Sequence, residues 1–105
     1  MENNLFEIPA GLNKKFELFQ PLYSGETIEI ERIISEGHAT PEGSWLEQER
    51  NEWVILITGN AVISFSDGRD FVLNAGDHLF IPAGVRHRVE KTSSEPKCIW
   101  LAVHF

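Results

Sequence analysis

The feature that most constrains this chain is its punctuation. From Thr27 to the end, short β-branched or aromatic runs alternate with Gly, Pro, Asn and Asp breaks at roughly eight- to twelve-residue intervals. Within the runs the pattern has period two, as expected of strands with one face turned to a core. Thr27 to Ile34 sets Ile28 and Ile30 against Glu29 and Glu31, a half-buried strand. Trp53 to Thr58, Ala61 to Ser66 and Arg69 to Leu73 follow, separated by Gly59-Asn60 and Asp67-Gly68. Both dipeptides suit hairpin turns that demand positive φ, so the three runs are expected to form a meander. Asn74-Ala75-Gly76-Asp77 and Pro82-Ala83-Gly84 bracket Leu79-Phe80-Ile81, and strands over Val85 to Glu90 and Lys97 to His104 complete the reading. The expectation is an all-β sandwich, jelly roll or small barrel.

A length of 105 residues fits one domain, 1–105, with an N-terminal arm and first strand in 1–25 and a barrel in 26–105. Phe6, Ile8, Phe16, Leu18 and Phe19 are irregularly spaced, which suits an arm packed across the barrel or onto a second subunit. The formal charge of -7, with no Lys/Arg run, argues against nucleic acid, whose phosphates need a positive patch. The longest apolar run, Trp53 to Ile57, is far short of the roughly 20 residues that cross a bilayer, so no membrane is expected. One cysteine, Cys98, forms no internal disulfide and reads as a small buried apolar residue. With no targeting segment visible, a cytoplasmic location is expected.

Two motifs carry the chemistry. In the second, Gly76, Pro82, Gly84 and His87 stand at G-x5-P-x-G-x2-H spacing. The glycines and proline turn the chain twice, and the returning strand aims a side chain inward. Alternation groups Val85, His87 and Val89 on one face and Arg86, Arg88 and Glu90 on the other, so His87 should point in and the arginines out. In the first, Glu52 and Gly59 keep an E-x6-G spacing. If Glu52, Val54 and Leu56 face a pocket, Trp53, Ile55 and Ile57 form an apolar stripe outside it, which an arm or a second subunit must cover.

Together these stretches resemble the paired signatures of the cupin superfamily over Ile33 to Phe105, in a small single-domain bacterial type with a degenerate first motif. The histidine pair of that motif is missing. Its positions are Trp45 and Glu47 with one gap length, or Leu46 and Gln48 with the other. The resemblance implies a cupin double-stranded β-helix, or jelly-roll barrel, and a homodimer paired through its sheets.

It also implies an interior site at which Glu52 and His87 are the surviving metal ligands and the best catalytic candidates. Glu47, Gln48 and His104 are the further metal candidates, and Trp45, Val54, Leu56 and Trp100 are expected to line the pocket. An oxygen-rich set suits Mn, Fe or Mg better than structural Zn, with Mn, Fe, Zn and Ni not separable for any bound ion. No organic cofactor is implied. The bland alternative is a metal-free Glu52–His87 hydrogen bond in a partly polar pocket. His104 shares a strand face with Trp100 and Ala102, and both faces of that strand are apolar, so a packed histidine competes with a ligand there. His38 reads as a solvated loop residue, and His78 is given no role. The function expected is a small-molecule binding barrel of unassigned activity. The alternative is a metal-dependent oxygenase, isomerase or decarboxylase, or a metal-free enzyme with His87 as base.

Overall fold

Short runs rich in β-branched and aromatic residues build eight strands over the described residues, 3–12 and 15–105, of this computed structural model. They are β1 (Leu18–Ser24), β2 (Glu29–Ser35), β3 (Glu52–Thr58), β4 (Asn60–Phe65), β5 (Asp70–Asn74), β6 (His78–Ile81), β7 (His87–Thr92) and β8 (Cys98–His104). A five-stranded sheet runs β1-β2-β8-β3-β6 and a three-stranded sheet runs β5-β4-β7, with antiparallel pairing throughout. No helix occurs among the described residues, and none is therefore long and apolar enough to cross a membrane. This is the all-β jelly roll that the motifs imply.

The two sheets share one core because each turns a single apolar face inward. Val54 and Leu56 of β3, Ala61, Ile63 and Phe65 of β4, and Cys98, Trp100 and Ala102 of β8 belong to it. The interior is not uniform along its length. Leu56 and Cys98 are 0% exposed and pack solidly with Ala61 and Leu73 at one end, whereas Val54, Ile63 and Trp100 border a cavity at the other.

One expected turn is overturned. Gly59-Asn60 does not close a hairpin: β3 pairs with β6 and β8, while β4 pairs with β5 and β7, so the chain crosses from one sheet to the other there. The meander reading fails because a dipeptide reports local φ, not the strand that it serves. Asp67-Gly68 does join a pair, β4 to β5, with Gly68 N–H donating to Phe65 O.

Gly59 is needed for a different reason. It holds φ +90, and a Cβ there would lie 2.7 Å from Cys98 Sγ and 2.8 Å from Ser93 Oγ. Gly76 has a similar φ of +92 but nothing within 4 Å of a Cβ. Gly76→Ala is therefore expected to cost only the left-handed backbone penalty, about 1–2 kcal/mol. Gly59→Ala should cost clearly more, because the core must also shift. Equal losses in urea unfolding would contradict the close-packed crossing.

On the outer face of the larger sheet, Tyr23, Ile30, Val103, Trp53 and Phe80 form a cross-strand row through all five strands. A second anchor on this face is Arg32, 8% exposed. Its guanidinium donates to Gln20 Oε1 at 2.6 Å and to the carbonyls of Leu5 at 3.0 Å and Glu7 at 2.7 Å, which ties the N-terminal segment to β2.

Candidate functional site

Glu52 opens β3 with its side chain turned in, and its backbone lies opposite Ile81 on one side and His104 on the other. It is 7% exposed and, among the described residues, accepts one hydrogen bond, from Gln48 Nε2 at 3.2 Å. His87 opens β7 and is 3% exposed. A two-way bridge fixes its backbone: Leu46 N–H donates to His87 O at 2.7 Å and His87 N–H to Leu46 O at 3.0 Å. Its Nδ1 lies 3.0 Å from Val85 O. A carbonyl can only accept, so Nδ1 carries the hydrogen, and in the neutral form of the ring the bare lone pair is on Nε2. That lone pair faces Glu52 Oε1 across 3.9 Å, too far for a hydrogen bond.

A second carboxylate–imidazole pair stands beside the first. His104 Nε2 is 3.0 Å from Glu31 Oε1, with both side chains largely covered. Burial pushes the Glu52 carboxyl above the ordinary glutamate range, against the pull of His104 and then His87; the Glu31 charge adds to the rise and the Gln48 hydrogen bond opposes it.

A carboxyl with a raised native value holds its proton more tightly folded than unfolded. Its contribution to stability is complete below the ordinary glutamate value of about 4.3 and is lost as pH rises through the native value. Glu52→Gln removes that loss. The stability of the variant minus that of the wild type should grow from pH 4 to pH 8 in urea unfolding, and a pH-independent difference would contradict a strained carboxyl.

These groups sit at one end of a cavity of about 230 Å³ between the sheets. Its walls are mainly apolar, with Ile33, Leu46, Val54, Ile63 and Trp100 among them. Polar atoms come from Glu17, Glu31, Thr40, Gln48, Glu52 and His87. No lysine or arginine lines it among the described residues. The rim is the loop at Ala39–Pro41, which β7 holds down: Arg88 Nη2 donates to Thr40 O at 3.0 Å, and Val89 N–H to Thr40 Oγ1 at 3.0 Å. Glu31 and Gln48 also border a neighbouring polar groove with Glu29, Glu49, Arg50 and His104, so they form the wall between the two spaces.

The structure brings together Glu52, His87, Gln48, Val54 and Trp100 on the cavity, and His104 beside them through Glu31. Three expected positions lie elsewhere. Trp45 is 41% exposed and absent from the wall. Glu47 is exposed, 3.8 Å from Arg86 on the outside. The bridge to His87 sets the phase of this segment, so that Leu46 and Gln48 border the cavity while Trp45 and Glu47 do not. Leu56 faces inward but lies in the solid part of the core rather than on the cavity.

His38 is half-buried rather than solvated, because its loop folds back on β7 through Thr92 Oγ1, which donates to His38 O at 2.6 Å. Two cavity carboxylates escape a reading of the sequence. Glu31 shares a face with Ile33, and that face, not the one bearing Ile28 and Ile30, looks inward. Glu17 lies in the irregular N-terminal stretch, where no periodicity marks it; Ser35 Oγ donates to its Oε2 at 2.7 Å.

Glu52 Oε1 and His87 Nε2 are spaced as two donors to one ion can be, since bonds of about 2.1 Å span up to about 4.2 Å. The hydrogen bond from Nδ1 to a backbone carbonyl is also the usual support of a metal-binding histidine. Among the described residues, however, no three His, Cys, Asp or Glu side chains converge as a metal-holding group. The donors thus fit an ion held by two protein ligands, with the Gln48 carboxamide beside them.

The cupin-domain family profile matches residues 33–104. No curated protein matches the chain. Among solved structures, a Ralstonia eutropha JMP134 protein, provisionally assigned as a mannose-6-phosphate isomerase, is 41% identical with a TM-score of 0.89, over 97% of this chain and 94% of that one. A cupin superfamily protein of Desulfitobacterium hafniense DCB-2 is 20% identical with a TM-score of 0.74, over 90% of this chain and 82% of that one. The Fe(II) form of HppE is 12% identical with a TM-score of 0.72, over 86% of this chain and 50% of that one. The last two likenesses concern the fold alone.

Proposed function

This chain belongs to the cupin domain family, and from that premise we propose that it is a receptor barrel for one small organic molecule anchored at Glu52 and His87. The carrying observation is the 3.9 Å gap between Glu52 Oε1 and His87 Nε2. Glu52 Oε1 accepts from Gln48 Nε2, His87 Nε2 has no donor among the described residues, and neither can donate to the other while the carboxyl is ionised and the ring neutral. A ligand N–H or O–H entering from the cavity can serve the ring nitrogen and the carboxylate's remaining lone pairs. The apolar walls then hold the rest of the molecule.

The same gap favours a second reading, a metal-dependent enzyme in which Glu52 and His87 hold a divalent ion. Such an ion would supply Lewis-acid chemistry when bound. A sugar-phosphate substrate, as the assignment of the Ralstonia relative suggests, finds little support here. A phosphate dianion calls for Arg, Lys or a metal, whereas Glu17, Glu31 and Glu52 line this cavity.

The test compares the wild type, purified without chelator, with a Glu52→Ala/His87→Ala double variant. Small neutral, cationic and anionic aromatics should include at least one that raises the thermal midpoint of the wild type and not of the double variant. No shift with any of them would sink the receptor reading. Metal analysis of the same two samples decides the second reading, and equal, near-zero content in both would remove it.

A further inference from the structure

Resting on the receptor reading, we infer that the ligand is a small organic cation: a primary ammonium head seated between Glu52 and His87, with an apolar body lying among Val54, Ile63 and Trp100. Two independent observations converge on this class.

The first is the charge of the walls. Glu17, Glu31 and Glu52 contribute carboxylates to one cavity of about 230 Å³, and no lysine or arginine lines it among the described residues. Their known partners offset this only in part. Glu17 accepts from the neutral hydroxyl of Ser35, Glu52 accepts from the neutral amide of Gln48, and Glu31 is paired with His104. In a space mostly walled by hydrocarbon, carboxylates interact far more strongly with a ligand charge than they would in water. An anion is repelled and a cation is held.

The second is the hydrogen-bond count at the head. His87 is 3% exposed, its Nδ1 is committed to Val85 O, and its Nε2 has no donor among the described residues. Glu52 Oε1 stands 3.9 Å away with the Gln48 amide as its hydrogen-bond donor. A ligand hydroxyl has one hydrogen and can serve only one of the two, so either His87 Nε2 stays unserved or Glu52 keeps only the neutral Gln48 amide against its charge. A primary ammonium has three, so it can donate to both at once while its charge offsets that of the buried carboxylate. A quaternary ammonium has no hydrogen to give and leaves the slot unserved. The volume suits a head with a body about the size of one six-membered ring.

The experiment measures binding of benzylamine (as benzylammonium), benzyl alcohol and benzoate to chelator-treated wild-type protein by calorimetry at pH 7. Benzylammonium should bind about tenfold more tightly than benzyl alcohol, with benzoate showing no heat of binding. In Glu52→Gln the ratio of ammonium to alcohol affinity should fall to about one; a ratio is insensitive to partial unfolding of the variant.

If the alcohol or benzoate binds as well as the ammonium, the cation assignment is wrong while the receptor reading stands. If none of the three binds, both fall. A preference for ammonium that survives Glu52→Gln would overturn the placement of the head. If benzoate binds before chelation and nothing binds after it, a metal ion rather than the carboxylate cradle holds the ligand, and the inference fails.

Discussion

Trp100→Ala is expected to lower the unfolding free energy by about 3–5 kcal/mol. The indole is 4% exposed and stands on β8, between Ile33 of β2 and Leu56 of β3. Its truncation removes buried apolar area and leaves a void that cannot collapse well, because the site already borders a cavity of about 230 Å³. A polar loss adds to this. Trp100 Nε1–H donates to Ser35 Oγ at 3.2 Å, and Ser35, 0% exposed, donates in turn to Glu17. Domains of this size have about 5–15 kcal/mol in total, so the loss takes a large share of the whole. Trp100→Phe keeps most of the packing and loses the N–H, and should cost about 1–2 kcal/mol. Urea unfolding of both variants checks the order, and a Trp100→Ala loss below about 1 kcal/mol would show that the indole is not a core element.

Arg32→Ala should cost on the order of 2–3 kcal/mol, with a local signature that core variants lack. The guanidinium serves Gln20 Oε1 and the carbonyls of Leu5 and Glu7, with Asn4 O at 3.4 Å. Hydrogen bonds from a charged donor are the stronger kind, and removing this one side chain strips several acceptors together. The expected result is that the N-terminal segment detaches before the barrel melts. Amide exchange at residues 5–8 should quicken while β3 and β8 stay protected. Gln20→Ala removes a single acceptor and should cost about 1 kcal/mol. If the segment exchanges at the same rate in wild type and Arg32→Ala, the arginine is not its anchor.

How much of the fold and the site is legible in the sequence depends on whether a signal is local. Glu52, Val54 and Leu56 are readable as one face once Glu52 is taken as inward from its motif, since strand periodicity then fixes its partners, and the turns that precede His87 place it inward. The phase of β2 is not readable, because Ile30 and Ile34 pack on the outer face while Ile33 packs inside, so apolar residues mark both sides. Glu31 therefore looks like solvent-facing charge. The segment at Trp45–Gln48 has its phase set by a bridge to His87, a contact between distant parts of the chain that no spacing rule contains. Gly59 misleads differently: its positive φ is foreseeable, but the same torsion serves a hairpin or a passage between sheets, and only the pairing of β4 distinguishes them.

The barrel is solid where Leu56 and Cys98 fill it and hollow where Glu52 and His87 face each other, and this division separates two kinds of selection. The filled end tolerates little change in volume. The open end is edged by the Ala39–Pro41 loop, whose composition can drift at small thermodynamic cost. A lineage built on this plan could swap its guest by rewriting the rim, again and again, without refounding the scaffold beneath it.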